Sequence, residues 1–266
     1  MPAFSWSPSG SRRVMRRFPR PFVLCTSLVA SLMVAVLASA GGANAGILKR
    51  LDYESGRLNQ WSSVQALPGR ITVVRSPRRQ GHYSARFVVR PGDTPVPGGE
   101  RSELTYQAHE RAGVSSWWRW STYFPASFNP VKGNWNVFTQ WHHSGLWCPP
   151  PIRFIVDAYS RPAKMFLVVR GGKLNTASCT ATSRHQFRIG TLRLGHWYRF
   201  MFHVRWSPHR SGGVVRLVVN GRVKVPRRHM ATLYAGQSVY IKQGFYRAPS
   251  GRTSVVYHDG LQRFRP

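Results

Sequence analysis

Acidic residues are scarce. Eight Asp and Glu stand against 39 Lys and Arg in 266 residues, for a formal net charge of +31. Hydrolysis of a glycosidic bond needs two carboxylates across the scissile bond. The candidates are Asp52, Glu54, Asp93, Glu100, Glu103, Glu110, Asp157 and Asp259. Glu100 and Glu103 fall on opposite faces of a strand, and Asp52 and Glu54 share parity but sit at the domain edge. No E-x-D-x-x-E strand motif occurs, so a glycosidase ranks low. Cysteine is also scarce, with three in the chain and no C-x-x-C arrangement. That spacing argues against a metal site. Helical periodicity is almost absent, as are internal repeats and low-complexity linkers. No K/R-rich block or zinc-finger spacing is present, which disfavours nucleic acid as the partner.

Only one long apolar run occurs, Phe22 to Leu37, and it follows Arg12, Arg13, Arg16, Arg17 and Arg20. Ala43-Asn44-Ala45 then offers an A-x-A cleavage site, with Ala38-Ser39-Ala40 as a second candidate. The run is short for a membrane span and is broken by Thr26, Ser27 and Ser31. Residues 1–45 therefore read as a signal peptide, removed on export, and residues 46–266 as one folded domain of a secreted protein. No later stretch is apolar enough to span a membrane. Without the five signal arginines, 34 basic residues face 8 acidic ones, a net +26. Such a charge favours a polyanion: nucleic acid, an anionic membrane surface or an acidic polysaccharide. Cys25 leaves with the signal. Cys148 and Cys179 remain as an even pair, so a disulfide is expected in an exported chain, with two buried thiols as the alternative.

What fills the domain is strand. Ile71 to Val74, Ser84 to Val89, Trp117 to Phe124, Ile152 to Ala158 and Met165 to Val169 read as strands, the last ending at Gly171-Gly172. Trp197 to Trp206 alternates along its length. Val214 to Val219 runs into Asn220-Gly221 and then Arg222 to Val225, the strongest hairpin signal in the chain. Many short strands at regular spacing imply a sandwich, jelly roll or barrel. When an open sheet face bends, it becomes a groove suited to an extended polymer.

Three segments carry chemistry. In Arg101-Ser102-Glu103-Leu104, strand alternation puts Arg101 and Glu103 on one face. A guanidinium held by a neighbouring carboxylate is an oriented fork for a substrate carboxylate, although a surface ion pair is the plainer reading. In Gln140-Trp141-His142-His143, Gln140 and His142 share one face while Trp141 and His143 share the other. Gln offers an amide donor, and His is the usual base near neutral pH. In Tyr240-Ile241-Lys242-Gln243-Gly244-Phe245-Tyr246, the face of Tyr240, Lys242, Gly244 and Tyr246 leaves room for a ligand over Gly244.

Together these segments resemble the jelly-roll alginate lyases, whose pattern is R-[ST]-E-L, Q-[IV]-H and Y-F-K-A-G-[VI]-Y. The wider chain is similar to the heparin lyase I-like polysaccharide lyases. The matching segments are Gly99-Glu100-Arg101-Ser102-Glu103, Gln140-Trp141-His142, Trp197…Trp206-Ser207…Asn220-Gly221, and Lys242, Gly244 and Tyr246. The resemblance spans nearly the whole chain after residue 45, in the same order. Two departures stand out. Thr105 replaces the Arg that usually follows R-[ST]-E-L, which weighs against alginate as substrate, and Trp141 and Phe245 replace smaller aliphatics.

The resemblance implies an all-β jelly roll, a concanavalin A-like sandwich of two bent antiparallel sheets with a concave substrate groove. It implies β-elimination at a uronic acid unit, with no metal or organic cofactor and an acidic polysaccharide as partner of a monomer. Arg101 and Gln140, helped by His142, would neutralise the substrate carboxylate. Tyr246 would be the general acid and, for one stereochemistry, the base, with His142 the base for the other. Lys242, Tyr240, Glu103 and Trp141 would bind substrate, with Glu103 also orienting Arg101 and Lys242 lowering the pKa of Tyr246. His143 would stand behind them. A non-catalytic carbohydrate-binding module is the alternative, because aromatic and basic residues serve binding equally well. His142 and Tyr246 discriminate, since binding alone does not require an acid–base set.

Overall fold

The computed structural model describes residues 46–145 and 147–265. The expected signal segment, with its arginines, Cys25 and both cleavage candidates, lies outside the described residues. Fifteen strands follow in order. They are β1 (Ile47–Leu51), β2 (Ser63–Gln65), β3 (Ile71–Val74), β4 (Ser84–Val89), β5 (Glu100–Glu110), β6 (Ser115–Phe124), β7 (Asn136–His143) and β8 (Ile152–Asp157). After them come β9 (Lys164–Asn175), β10 (Thr180–Thr191), β11 (His196–Arg205), β12 (Val214–Val219), β13 (Arg222–His229), β14 (Val239–Arg247) and β15 (Ser254–Phe264). No α-helix occurs among the described residues, so none there is long and apolar enough to cross a membrane.

The strands form two antiparallel sheets, which is the expected jelly-roll sandwich. One sheet runs β13-β12-β11-β6-β15-β4-β3, with β1 paired to β15. The other runs β10-β9-β8-β7-β14-β5-β2. The Asn220-Gly221 hairpin forms as expected: Asn220 and Gly221 take φ of 51° and 78°, the primed-turn geometry that matches strand twist. Gly171-Gly172 does not end its strand, because β9 continues to Asn175. The two glycines serve close approach instead. A Cβ on Gly171 would lie 2.6 Å from the Ala231 carbonyl carbon, and Gly172 N–H donates to Leu233 O at 3.0 Å.

Period-2 alternation buries one side of each sheet against the other. Trp120 stacks on Phe200 at 4.9 Å and meets Phe154 edge-on at 5.0 Å. Trp141 joins this cluster, edge-on to Trp118 and Trp120 and beside Phe202. Its exposure is 0%, so the expectation that it touches substrate is corrected: its parity points it into the core, away from Gln140 and His142. Trp141→Ala is therefore expected to cost about 3–5 kcal/mol of stability, the range for emptying a buried aromatic site. Denaturant unfolding measures it. A normal unfolding midpoint with weakened polysaccharide binding would reinstate the surface role.

His258 on β15 is fully buried behind the second sheet. It hydrogen-bonds Thr122 Oγ1 through Nδ1 at 3.0 Å and the Gly244 carbonyl through Nε2 at 2.9 Å. Facing a carbonyl, Nε2 must carry a proton, and in the neutral ring Nδ1 is then the acceptor from Thr122 Oγ1. Burial lowers its pKa to about 3. A histidine depressed in the folded state contributes its full stability above the unfolded pKa of about 6.5 and loses it as pH falls. Moving from neutral pH to pH 5 should thus cost roughly 2 kcal/mol through this group. Asp259, raised by burial to about 6, acts in the opposite sense. The difference between the parent and His258→Gln isolates the histidine. Parallel stability-versus-pH curves for the two proteins would contradict this.

Candidate active site

Three adjacent strands, β5, β14 and β7, bring the three segments side by side. Tyr246 pairs with Arg101 and Gly244 with Glu103 across β14 and β5. Tyr240 pairs with His142 and Lys242 with Gln140 across β14 and β7. Arg101, Gln140, His142, Tyr240, Lys242 and Tyr246 consequently line one cleft of about 510 Å³ on the outer face of this sheet.

Glu103 does not line the cleft. It sits beneath the floor at 2% exposure, which corrects its expected role as a direct substrate contact. Lys242 Nζ lies 2.8 Å from Glu103 Oε2 and Arg101 Nη1 3.5 Å from the same oxygen. Gln140 donates from Nε2 to Glu103 Oε1 at 2.5 Å. One carboxylate thus holds three side chains of three strands. Burial pushes the Glu103 carboxyl up. The charges of Lys242 and Arg101 and the hydrogen bonds from Lys242 and Gln140 outweigh that and hold it below its ordinary value. The plain surface ion pair is excluded, because both partners are buried. Gln140 Oε1 and Arg101 Nε are buried without a protein partner.

Tyr246 lies under the Arg101 guanidinium, 4.1 Å from Cζ to ring centroid. Its hydroxyl donates to the Gly98 carbonyl, and Arg101 Nη2 donates to the Pro97 carbonyl at 3.2 Å. One loop therefore occupies a donor of each residue. Gly99 holds the turn at φ 129°, and a Cβ there would meet Arg247 O at 2.7 Å and the Tyr246 ring at 2.9 Å. The expectation that Lys242 lowers the pKa of Tyr246 is overturned. Burial raises it, with Glu103 adding to the rise and Arg101 opposing. Gly244 also differs from expectation. Its φ is 149°, and a Cβ would meet Ser102 O at 2.1 Å and Phe87 in the core at 3.0 Å. It allows close packing of β14 on β5 and opens no space for a sugar.

His142 Nδ1 faces the His143 carbonyl at 2.8 Å, so Nδ1 carries the proton and Nε2 keeps its lone pair. Burial lowers its pKa to about 4, which leaves the imidazole neutral and able to accept a proton at pH 7. The Tyr240 ring lies 5.7 Å from it. His143 Nε2 donates to Cys148 O at 2.8 Å. Cys148 and Cys179 are joined, with Cα atoms 5.1 Å apart and a sequence separation of 31. The bridge ties the β7–β8 connection to the β9–β10 turn. It holds the cleft rim where Trp147 stands 80% exposed.

Trp135, Trp147 and Arg153 also line the cleft, and none stood out in sequence. Trp135 and Trp147 lie in loops without alternation. Arg153 occupies an ordinary outward position of β8 and gains meaning only from its pairing with Gln140. Among the described residues no His, Cys, Asp and Glu cluster could hold a metal ion.

Residues 53–262 match the family model described as polysaccharide lyase. No curated protein matches the sequence. Among solved structures, an endo-β-1,4-glucuronan lyase from the fungus Trichoderma reesei is similar with a TM-score of 0.67 at 15% identity, covering 83% of this chain and 96% of that one. An alginate lyase from a Chlorella virus gives a TM-score of 0.52 at 13% identity over 83% of this chain and 100% of that one. An alginate lyase from Pseudomonas aeruginosa gives 0.50 at 18% identity over 69% and 83%. At these identities the likeness to solved structures establishes the jelly-roll fold.

Proposed function

This chain belongs to the polysaccharide lyase family, and on that premise we propose that it cleaves a uronic-acid polysaccharide by β-elimination, with Tyr246 as acid and His142 or Tyr246 as base. The observation that carries the reading is the arrangement around Glu103. A buried carboxylate fixes Lys242, Gln140 and Arg101 in the floor of a cleft whose wall presents His142 and Tyr246.

The reaction removes the C5 proton, which is α to a carboxylate, and expels the C4 oxygen. Charge building on that carboxylate needs fixed donors, and losing one good donor costs about 3 kcal/mol in comparable sites. Arg101 and the Lys242–Gln140 pair supply them. The neutral His142, with Nε2 free, accepts the C5 proton of one stereochemistry. Tyr246 keeps its proton at neutral pH because burial raises its pKa, and it gives that proton to the departing C4 oxygen. The substrate must first take the place of the Gly98 carbonyl on the Tyr246 hydroxyl. For the other stereochemistry Tyr246 must lose its proton first, so its activity should rise toward alkaline pH.

Glucuronan is the polymer to test first. Thr105 departs from the alginate lyase pattern, and a glucuronan lyase is among the similar structures. Digestion in heavy-oxygen water separates lyase from hydrolase. In products of short digestion, reduced at once to stop oxygen exchange at the new reducing end, elimination leaves no solvent oxygen, whereas one heavy oxygen per cleavage would contradict the mechanism.

The reading takes the enzyme as a cofactor-free monomer and includes its export, the latter supported by the order of basic, apolar and A-x-A segments in residues 12 to 45. N-terminal sequencing of secreted protein is expected to begin near Gly46. A start at Met1 would contradict it.

A further inference from the structure

Beyond His142 the same sheet face carries arginines that no carboxylate balances. Arg153 on β8 pairs directly with Gln140 of β7. Arg170 on β9 lies diagonal to it, since Arg153 pairs with Val168, and Arg170 pairs with Arg184 on β10. None of the three joins an ion pair among the described residues. The Nε atoms of Arg153 and Arg170 are buried with no hydrogen-bond partner. Strands β9 and β10 contain no Asp or Glu at all. The one carboxylate of β8, Asp157, lies four residues further on and accepts the Tyr159 amide at 2.9 Å. The cost of this arrangement shows in Arg153, whose pKa falls to about 10 through burial and then repulsion by Arg170 and Arg184.

Like charges crowded on a partly buried face are unfavourable unless an anion joins them. A guanidinium fork matches a carboxylate in particular. Spacing points to the kind of anion. Neighbouring strands lie about 4.8 Å apart, close to the advance per sugar of an extended 1,4-linked chain. A polymer laid across the strands from the Lys242–Gln140 floor would pass β8, β9 and β10 roughly one sugar at a time.

We propose that Arg153, Arg170 and Arg184 form an anion ledge that binds the carboxylates of uronate units beyond the one being cleaved, so that the cleft selects a run of consecutive charged sugars. The ledge rests on the proposed lyase reading for the identity of its ligand. It favours homopolymers of uronic acid over polymers in which every second sugar is neutral.

The test measures binding, so that it stands apart from turnover. Tyr246→Phe protein is titrated calorimetrically with a glucuronic acid hexasaccharide at several salt concentrations. The titration is repeated with Arg170→Gln/Arg184→Gln added. A control carries Arg216→Gln/Arg227→Gln, two exposed arginines of the other sheet. The ledge variant is expected to bind about tenfold or more weakly, with a shallower salt dependence, while the control changes less than about twofold. A hexasaccharide with a uronate at every second position should lose less on the same substitution. Equal losses in ledge variant and control would overturn the ledge, as would no binding of the hexasaccharide to the starting protein. If the ledge variant binds weakly but the parent releases no unsaturated product, the lyase reading fails and the ledge stands. If product forms and binding is unchanged, the reverse holds.

Discussion

Tyr246→Phe is expected to slow turnover by a factor on the order of 10² or more while leaving the fold intact. The substitution removes one hydroxyl and keeps the ring that Arg101 covers. In the free protein that hydroxyl donates to the Gly98 carbonyl, so its loss should cost about 1 kcal/mol of stability. Substrate affinity should hold, because the floor residues are untouched. Ile241→Val, on the core side of the same strand, controls for packing damage. It should cost about 0.5–1.5 kcal/mol of stability and little turnover. Steady-state kinetics on a polymer the parent cleaves decides the matter. Parent-like turnover would remove Tyr246 from the acid role.

Glu103→Gln is the second substitution with a large expected effect. It keeps the shape and deletes the charge that holds Lys242 and Arg101. Breaking a buried ion pair by removing one partner typically costs about 3–5 kcal/mol, because the other charge stays buried without compensation. Two cations depend on this carboxylate, and Gln140 loses its charged acceptor. Turnover should fall with stability, since the donors for the substrate carboxylate lose their positions. Glu103→Asp should fall between the two, keeping the charge with a shorter reach. Denaturant unfolding is the measurement. A loss under about 1 kcal/mol would mean that the floor is organised by something other than Glu103.

The sheets were legible where alternation was clean. Trp197 to Trp206 and the Asn220-Gly221 hairpin needed no tertiary information, because a half-buried strand writes its inner face at every second residue. The same rule placed Arg101, Gln140, His142, Lys242 and Tyr246 on one side of their strands, and the structure gathers them in one cleft. Strand β10 escaped because the inner face of its first half carries Ala181, Ser183 and His185 and is at most half-buried, so apolar alternation shows only at Phe187 and Ile189. Gly171-Gly172 misled because glycine marks turns and close approaches alike. Trp141 sits where its parity puts it, in the core, against the substrate role that the resemblance implies. The depth of Glu103, the loop carbonyls on Tyr246 and Arg101, and the meeting of Arg153 with Gln140 all depend on contacts between distant segments. Local pattern carries no register between β5, β7, β8 and β14. The direction of the Tyr246 pKa depended on burial, which outweighed the cation nearby.

The central claim is elimination at a uronate, and its direct measurement is ultraviolet absorbance during incubation with a panel of polyuronates and glycosaminoglycans. Elimination leaves a conjugated unsaturated uronate at each new chain end. Absorbance is expected to climb with at least one homopolyuronate, glucuronan foremost, and to stay flat with Tyr246→Phe on the same polymer. Flat traces for the parent protein across the whole panel, with polymer still bound, would contradict the account and leave a carbohydrate-binding module in its place.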